Sequence, residues 1–290
     1  MKKLCVFLTC LSMIVVTPVH AKSVKLASKY AYVYDVTDEE VLYDQKGTSK
    51  IYPASMTKMM TVYTALSLIP HLNKKVTVTK SMIKNKTKYS ATLGFIRPGM
   101  KLSYKDLLYG ALYPSGADAC WILARSLCGS EFGFVKKMNK QAKALGMTST
   151  HFRNATGLPD KKHVTSCEDL SKLMMAGLKN KMWSKVFLAG PYASYHVSGL
   201  KWMSTLERMR VEHHVLARKE LKGAKSGWTS SAQYCLASCA KIRGHTILII
   251  TAKGNKNAYH VPAIKKEATA LMDHSQIVDA LKKNWKSVVE

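Results

Sequence analysis

Strand-like segments stand near both ends of this chain and helical segments lie between them, and that order leaves few ways to build a core. Between Tyr30 and Gln45, AYVYDVTDEEVLYDQ reads as two short strands joined by a polar Thr-Asp-Glu-Glu turn. Far downstream, AKSGWTSSAQYCLASCAKIRGHTILIITAKG offers strands over Ala224 to Thr229, Gln233 to Ala240 and His245 to Ala252, with KIRG as a hairpin turn. Helical patterns fill the interval: Met56 to Ile69 behind Pro53, then Tyr104 to Leu112, Asp118 to Leu127, Phe132 to Leu145 and Cys167 to Leu178, with a last helix over Ala263 to Met272. An isolated hairpin is barely stable in water, so the terminal strands are expected to share one sheet. The expected class is α+β: an antiparallel sheet closed by N- and C-terminal segments, flanked by helices, with an additional helical lobe.

Three regions divide the chain. Residues 1–21 carry a basic start, an apolar run from Leu4 to Val16 and a Val19-His20-Ala21 ending, the pattern of an export signal cleaved after Ala21. Residues 22–275 hold the elements above, and 276–290 form a basic amphipathic tail. Loss of Cys5 and Cys10 with the signal leaves Cys120, Cys128, Cys167, Cys235 and Cys239, an odd number without a CxxC pair, which reads as buried apolar thiols. Cys235 and Cys239 are four apart in a strand and so face one side. No HExxH or comparable ligand spacing is present, so neither a metal nor a cofactor is expected.

Ser55-Met56-Thr57-Lys58 places a hydroxyl and an amine on one helix face at the helix start, a nucleophile beside a base. Taken alone the spacing is cheap: Ser81/Lys84, Ser198/Lys201 and Ser238/Lys241 share it. Context separates the first. PASMTK follows the hairpin, Ser115-Gly116 follows in a helix-to-helix loop, and Lys225-Ser226-Gly227 comes much later on a strand. In that order the chain resembles the serine D-alanyl-D-alanine carboxypeptidases, the low-molecular-mass penicillin-binding proteins with motifs SxxK, SxN and KTG. The likeness runs from about Tyr32 to Met272 through VYDVTDEEVLYDQKGTSKIYPASMTKMMTVYTAL, PGMKLSYKDLLYGALYPSGADA, HFRNATGLPD and GAKSGWTSSAQYCLASCAKIRG.

The resemblance implies a β-lactamase/transpeptidase-like fold and acyl transfer on the terminal D-Ala-D-Ala bond of peptidoglycan stem peptides, with β-lactams as covalent inhibitors. It assigns Ser55 as nucleophile, Lys58 as proton acceptor and Ser115 as proton relay. Lys225 would hold the substrate carboxylate and depress the Lys58 pKa, assisted by Ser226 where the family has Thr. The backbone N–H groups of Ser55 and Trp228 would form the oxyanion hole, and Gly227 would let substrate lie against the strand edge. Two positions depart from the pattern. Ala117 stands where the family has Asn, at an expected cost of about 1 to 3 kcal/mol in transition-state binding, and Asp118 beside it reads as a helix-start residue rather than a replacement. Glu212-His213-His214 stands where relatives tend to be Asn-rich.

A formal charge of +27 points to an anionic environment, a wall polymer or membrane surface, outside the cytoplasm or in the periplasm. The export signal and the lack of a nucleic-acid motif argue against nucleic acid. In the tail, Ile277, Leu281, Trp285 and Val288 share a helical face beside Lys282, Lys283 and Lys286, which suits either an anionic bilayer or docking on the protein itself. Besides carboxypeptidase action two alternatives stay open: a D,D-endopeptidase on crosslinks, and a catalytically weakened peptidoglycan-binding protein.

Overall fold

The computed structural model describes residues 24–84, 91–190, 192–212, 217–255 and 269–283. In chain order its elements begin with β1 (Ser28–Asp35), β2 (Glu40–Gln45), a 3-10 turn (Ala54–Met56), α1 (Thr57–Leu66), β3 (Lys75–Thr77), α2 (Lys80–Ile83) and β4 (Lys101–Ser103). The helical lobe continues with α3 (Tyr104–Leu112), α4 (Ala117–Cys128), α5 (Glu131–Ala144), α6 (Cys167–Lys179) and α7 (Lys181–Phe187). There follow β5 (Ser194–Val197), β6 (Leu200–Met203), α8 (Thr205–Glu212), β7 (Leu221–Thr229), β8 (Gln233–Ile242), β9 (His245–Gly254) and α9 (Thr269–Lys283). Apart from the last helix, the expected helices and strands are present within a few residues of their expected ends.

One antiparallel sheet runs in the order β2-β1-β9-β8-β7, so the N-terminal hairpin pairs with the last strand. Both faces of its centre are covered. In β9 the unbroken apolar run puts Ile247 and Ile249 into one core and Leu248 and Ile250 into the other, all fully buried. The larger core joins the sheet to α1 and the helical lobe; the smaller joins its other face to α8 and α9. Arg243 and Gly244, both with positive φ, make the two-residue turn between β8 and β9, a conformation matched to the strand twist. Cys235 and Cys239 face the larger core together; Cys120 and Cys167 are also buried, Cys128 is half-buried, and all five are unpaired.

The C-terminal segment departs from the sequence reading. The helix expected over Ala263 to Met272 is described only from Thr269, and it runs on to Lys283 across the expected start of the tail. Ile277 and Leu281, half of the stripe proposed for a bilayer, are fully buried against the sheet instead. The carboxylate of Asp273 accepts from the backbone N–H groups of Ala27 and Ser28, fastening α9 to the start of β1. The expected signal segment, His213-His214, Trp285, Lys286 and Val288 lie outside the described residues. No helix among the described residues is long and apolar enough to cross a membrane.

His274 bridges α9 to the sheet: Nδ1 lies 2.7 Å from Ser238 Oγ on β8, and Nε2 3.0 Å from Thr251 Oγ1 on β9. Burial pushes its pKa down to about 3 and that of His163 down to about 4. The unfolded chain, with ordinary histidines, therefore binds protons between pH 6.5 and about 4 that the native state refuses. Native stability is expected to fall as the pH drops through that window, by up to about 1.4 kcal/mol per pH unit for each histidine. Urea unfolding at pH 7, 6 and 5 checks this; His274→Gln should flatten the slope, and an unchanged slope would contradict it.

Candidate active site

The backbone turns sharply before α1. Ala54 adopts a positive φ of 45°, Met56 N–H donates to Pro53 O, and Ser55 sits in the 3-10 turn that feeds the helix. One turn later Lys58 points back along the helix face, and its Nζ lies 2.8 Å from Ser55 Oγ and 3.2 Å from Ser115 Oγ. Ser115, with φ of 60°, is held at the end of the α3–α4 loop, where Gly116 N–H donates to Gly110 O. Lys58 is 2% exposed. Burial brings its pKa down to about 8, aided by the nearby Arg208 charge and opposed by Cys120 and Asp118. The Cys120 thiol is itself pushed up to about 12 by burial, so near neutral pH it stays protonated.

The edge strand β7 forms the opposite wall. Its approach to the Ser55 turn is so close that a Cβ on Gly227 would stand 2.9 Å from Ser55 N and 3.0 Å from Pro53 O. Gly227 is thus required by the contact between strand and turn, a stronger constraint than the clearance for substrate expected of it. Lys225 is fully buried beneath the cleft, with Nζ donating to Ser226 O at 2.7 Å. Burial and the charges of Lys58 and Arg208 hold its pKa well below the usual lysine range. A cation at the cleft surface is Arg208 of α8, whose guanidinium donates to Ser226 Oγ at 3.1 Å while its Nε is buried without a partner among the described residues. Glu207, beside Arg208 in the sequence, is engaged by Arg210 at 2.8 Å. The Trp228 side chain is half exposed at the rim.

Two cavities meet at Ser55. One, of about 440 Å³, runs between Ala91, Thr92, Ala117, the Thr156–Pro159 loop and Trp228. The other, of about 110 Å³, holds Ser115, Arg208, Ser226 and Gly227. Ser55, Thr92 and Trp228 line both. Thr92 belongs to a strap fastened over α4: Ala117 N–H donates to Thr92 O, the Asp118 carboxylate accepts from Gly94 and Ile96 N–H, and Trp202 Nε1 donates to Gly94 O. Asp118 is therefore occupied in holding the strap, and Ala117 offers the cleft no hydrogen-bonding side chain. The loop on the other side is shaped by Asn154, whose Oδ1 accepts from the N–H groups of Thr156, Gly157 and Leu158. That brings Gly157, with φ of 84°, against the serine turn: a Cβ there would fall 1.8 Å from Ala54 O.

The expected site residues Ser55, Lys58, Ser115, Lys225, Ser226, Gly227 and Trp228 are thus brought together in and beneath one cleft. The same cleft is also lined by Arg208 and Thr92, which no sequence motif singles out. In the sequence Arg208 is one of 45 basic residues, and Thr92 lies in a segment with no pattern. Among the described residues, Asp35, Asp38 and His245 lie close enough to share a cation. Asp35 already accepts from Thr37 and Asp38 N–H and meets His245 Nδ1 at 2.8 Å, and the trio belongs to the β1, β2 and β9 end of the sheet rather than to this cleft.

Comparison with known proteins supplies a context for this geometry. The sequence profile of a peptidase family described as D-alanyl-D-alanine carboxypeptidase matches residues 16–255. The D-alanyl-D-alanine carboxypeptidase DacF of Bacillus subtilis is 32% identical over 221 residues, covering 74% of this chain and 54% of its own length. The D-alanyl-D-alanine carboxypeptidase of Streptomyces sp. strain K15 is 26% identical over 241 residues, covering 80% of this chain and 81% of its own. The chain so spans about half the length of the first relative and four-fifths of the second. Among solved structures, the Streptomyces K15 DD-transpeptidase superposes with a TM-score of 0.76 at 23% identity, over 89% of this chain and 98% of that one. The shared architecture is the β-lactamase/transpeptidase-like α+β fold.

Proposed function

This chain belongs to the D-alanyl-D-alanine carboxypeptidase family, and from that premise we propose that it removes the terminal D-Ala from peptidoglycan stem peptides through an acyl-enzyme on Ser55, outside the cytoplasm. The observation that carries the reading is the buried Lys58 amine, 2.8 Å from Ser55 Oγ with its pKa brought down to about 8. Near neutral pH a useful fraction of that amine is unprotonated, as a general base requires. It takes the Ser55 proton as Oγ attacks the penultimate D-Ala carbonyl. The proton then passes by way of Ser115, 3.2 Å away, to the leaving amine of the terminal D-Ala. Backbone N–H groups of Ser55 and Trp228 receive the oxyanion, and water releases the acyl group in the second half of the cycle.

The smaller cavity takes the departing D-Ala. Its carboxylate meets Ser226 Oγ and the Arg208 guanidinium, whose unpartnered Nε is otherwise an unexplained cost. Lys225 lies below them, fully buried with its amine on Ser226 O, so Arg208 is the cation placed to meet the carboxylate first. The larger cavity takes the acyl portion, and on the wall where Ala117 is bare, Thr92 offers a hydroxyl to the substrate backbone.

Intact-mass measurement after exposure to benzylpenicillin should show a covalent adduct of one penicillin per chain, absent in Ser55→Ala, and Lys-D-Ala-D-Ala peptides should release D-Ala. An adduct without D-Ala release would favour the endopeptidase or weakened-enzyme alternatives; no adduct would overturn the acyl-enzyme.

Arg208→Gln should lower kcat/KM for free-carboxylate peptides by about 10- to 100-fold, the worth of one charge-assisted hydrogen bond, and leave C-terminally amidated peptides nearly unchanged. Equal losses on both peptides would remove Arg208 from the carboxylate site.

A further inference from the structure

Helix α5 carries a concentration of charge that the catalytic cleft does not use. Lys136, Lys140 and Lys143 recur at i, i+4 and i+7 on one exposed face, with Lys137 beside them. Like charges at this spacing disfavour a helix, and none of the four has a carboxylate partner among the described residues. The one acid of the helix, Glu131, is turned to the backbone N–H of Ala155. Three shallow clefts border the helix, and no Asp or Glu lines any of them. One holds Lys143 and His151, the next Lys137 and Lys140, and the third, joined to it through Gln141, adds Lys179 from the end of α6.

We propose that this face is a docking surface for a linear phosphate-bearing polyanion lying along α5. The helix rise sets Lys136, Lys140 and Lys143 about 6 and 4.5 Å apart along the axis, so their ammonium groups form a row that an extended polyanion can follow. Ammonium groups bind phosphates as point charges. The surface is furrowed and carries a single exposed large apolar side chain among the described residues, Phe132, with the Lys136 ammonium 4.5 Å from its ring, which suits a flexible polymer better than a bilayer. Two of the clefts lie around the C-terminal end of α1, roughly 18 Å along the helix from Ser55 at its other end, so a bound polymer would tether the protein without filling the cleft. This surface is independent of the chemistry proposed for Ser55.

Binding of long-chain inorganic polyphosphate, titrated between 50 and 300 mM salt, tests the proposal. The triple variant K136Q/K140Q/K143Q should lose at least tenfold in affinity at 150 mM salt and show a log Kd against log salt slope shallower by about two to three, as three contacts stop releasing counterions. A control with the same charge loss elsewhere, K74Q/K75Q/K101Q, should lose less than threefold, with thermal melts showing both variants folded. Equal losses in the two triples would overturn the proposal in favour of general net-charge attraction. A defect confined to vesicles containing phosphatidylglycerol, with polyphosphate binding intact, would overturn it in favour of a membrane surface.

Discussion

The cleft depends on one lysine amine held out of water. Lys58 is buried between two hydroxyls, and burial is the first cause of its lowered pKa. An exposed lysine at the same spacing, such as Lys201 after Ser198, lacks that constraint. The surrounding architecture maintains the dry pocket: α4 and its Cys120 from one side, β7 and the sunken Lys225 from another, and the helix that Lys58 itself belongs to. Two amines and a guanidinium are gathered with little opposing charge, so the region is primed for an anion, and Arg208 with Ser226 marks where a carboxylate would rest.

Two glycines show how tightly the walls close on Ser55. β7 and the Asn154 loop are well separated in the sequence, yet both press on the backbone at Ala54 and Ser55, and neither approach tolerates a Cβ. The positive φ of Ala54 is held in place by these contacts, consistent with strain concentrated where the nucleophile must project. The sheet makes the arrangement possible, because pairing β1 with β9 sets the N-terminal hairpin, and hence the turn that follows it, in register with the strands that carry Lys225 to Trp228.

Much of this was legible in the residues. The period-2 patterns at both chain ends and the capped helical runs between them lead to the observed elements because local propensity and burial agree there, as in the Ser103–Asp106 capping box before α3. Ser55, Lys58 and Ser115 were readable from ordered motifs. What escaped depends on tertiary placement: Arg208 becomes distinctive only when α8 packs beside β7, and Thr92 only when Asp118 and Trp202 strap its segment over α4. The same limit explains the tail, where an amphipathic stripe fits a bilayer or a sheet equally well in sequence, and the sheet claimed Ile277 and Leu281.

The most direct test of the account is the pH dependence of the acylation rate constant with benzylpenicillin, followed between pH 6 and 10 before turnover. With Lys58 as the base, the rate should rise with pH through a single step centred near 8 and level off above it, because only the unprotonated amine can accept the Ser55 proton. A flat profile, or a rise centred near the ordinary lysine value of about 10.4, would show that the buried amine is not what activates Ser55.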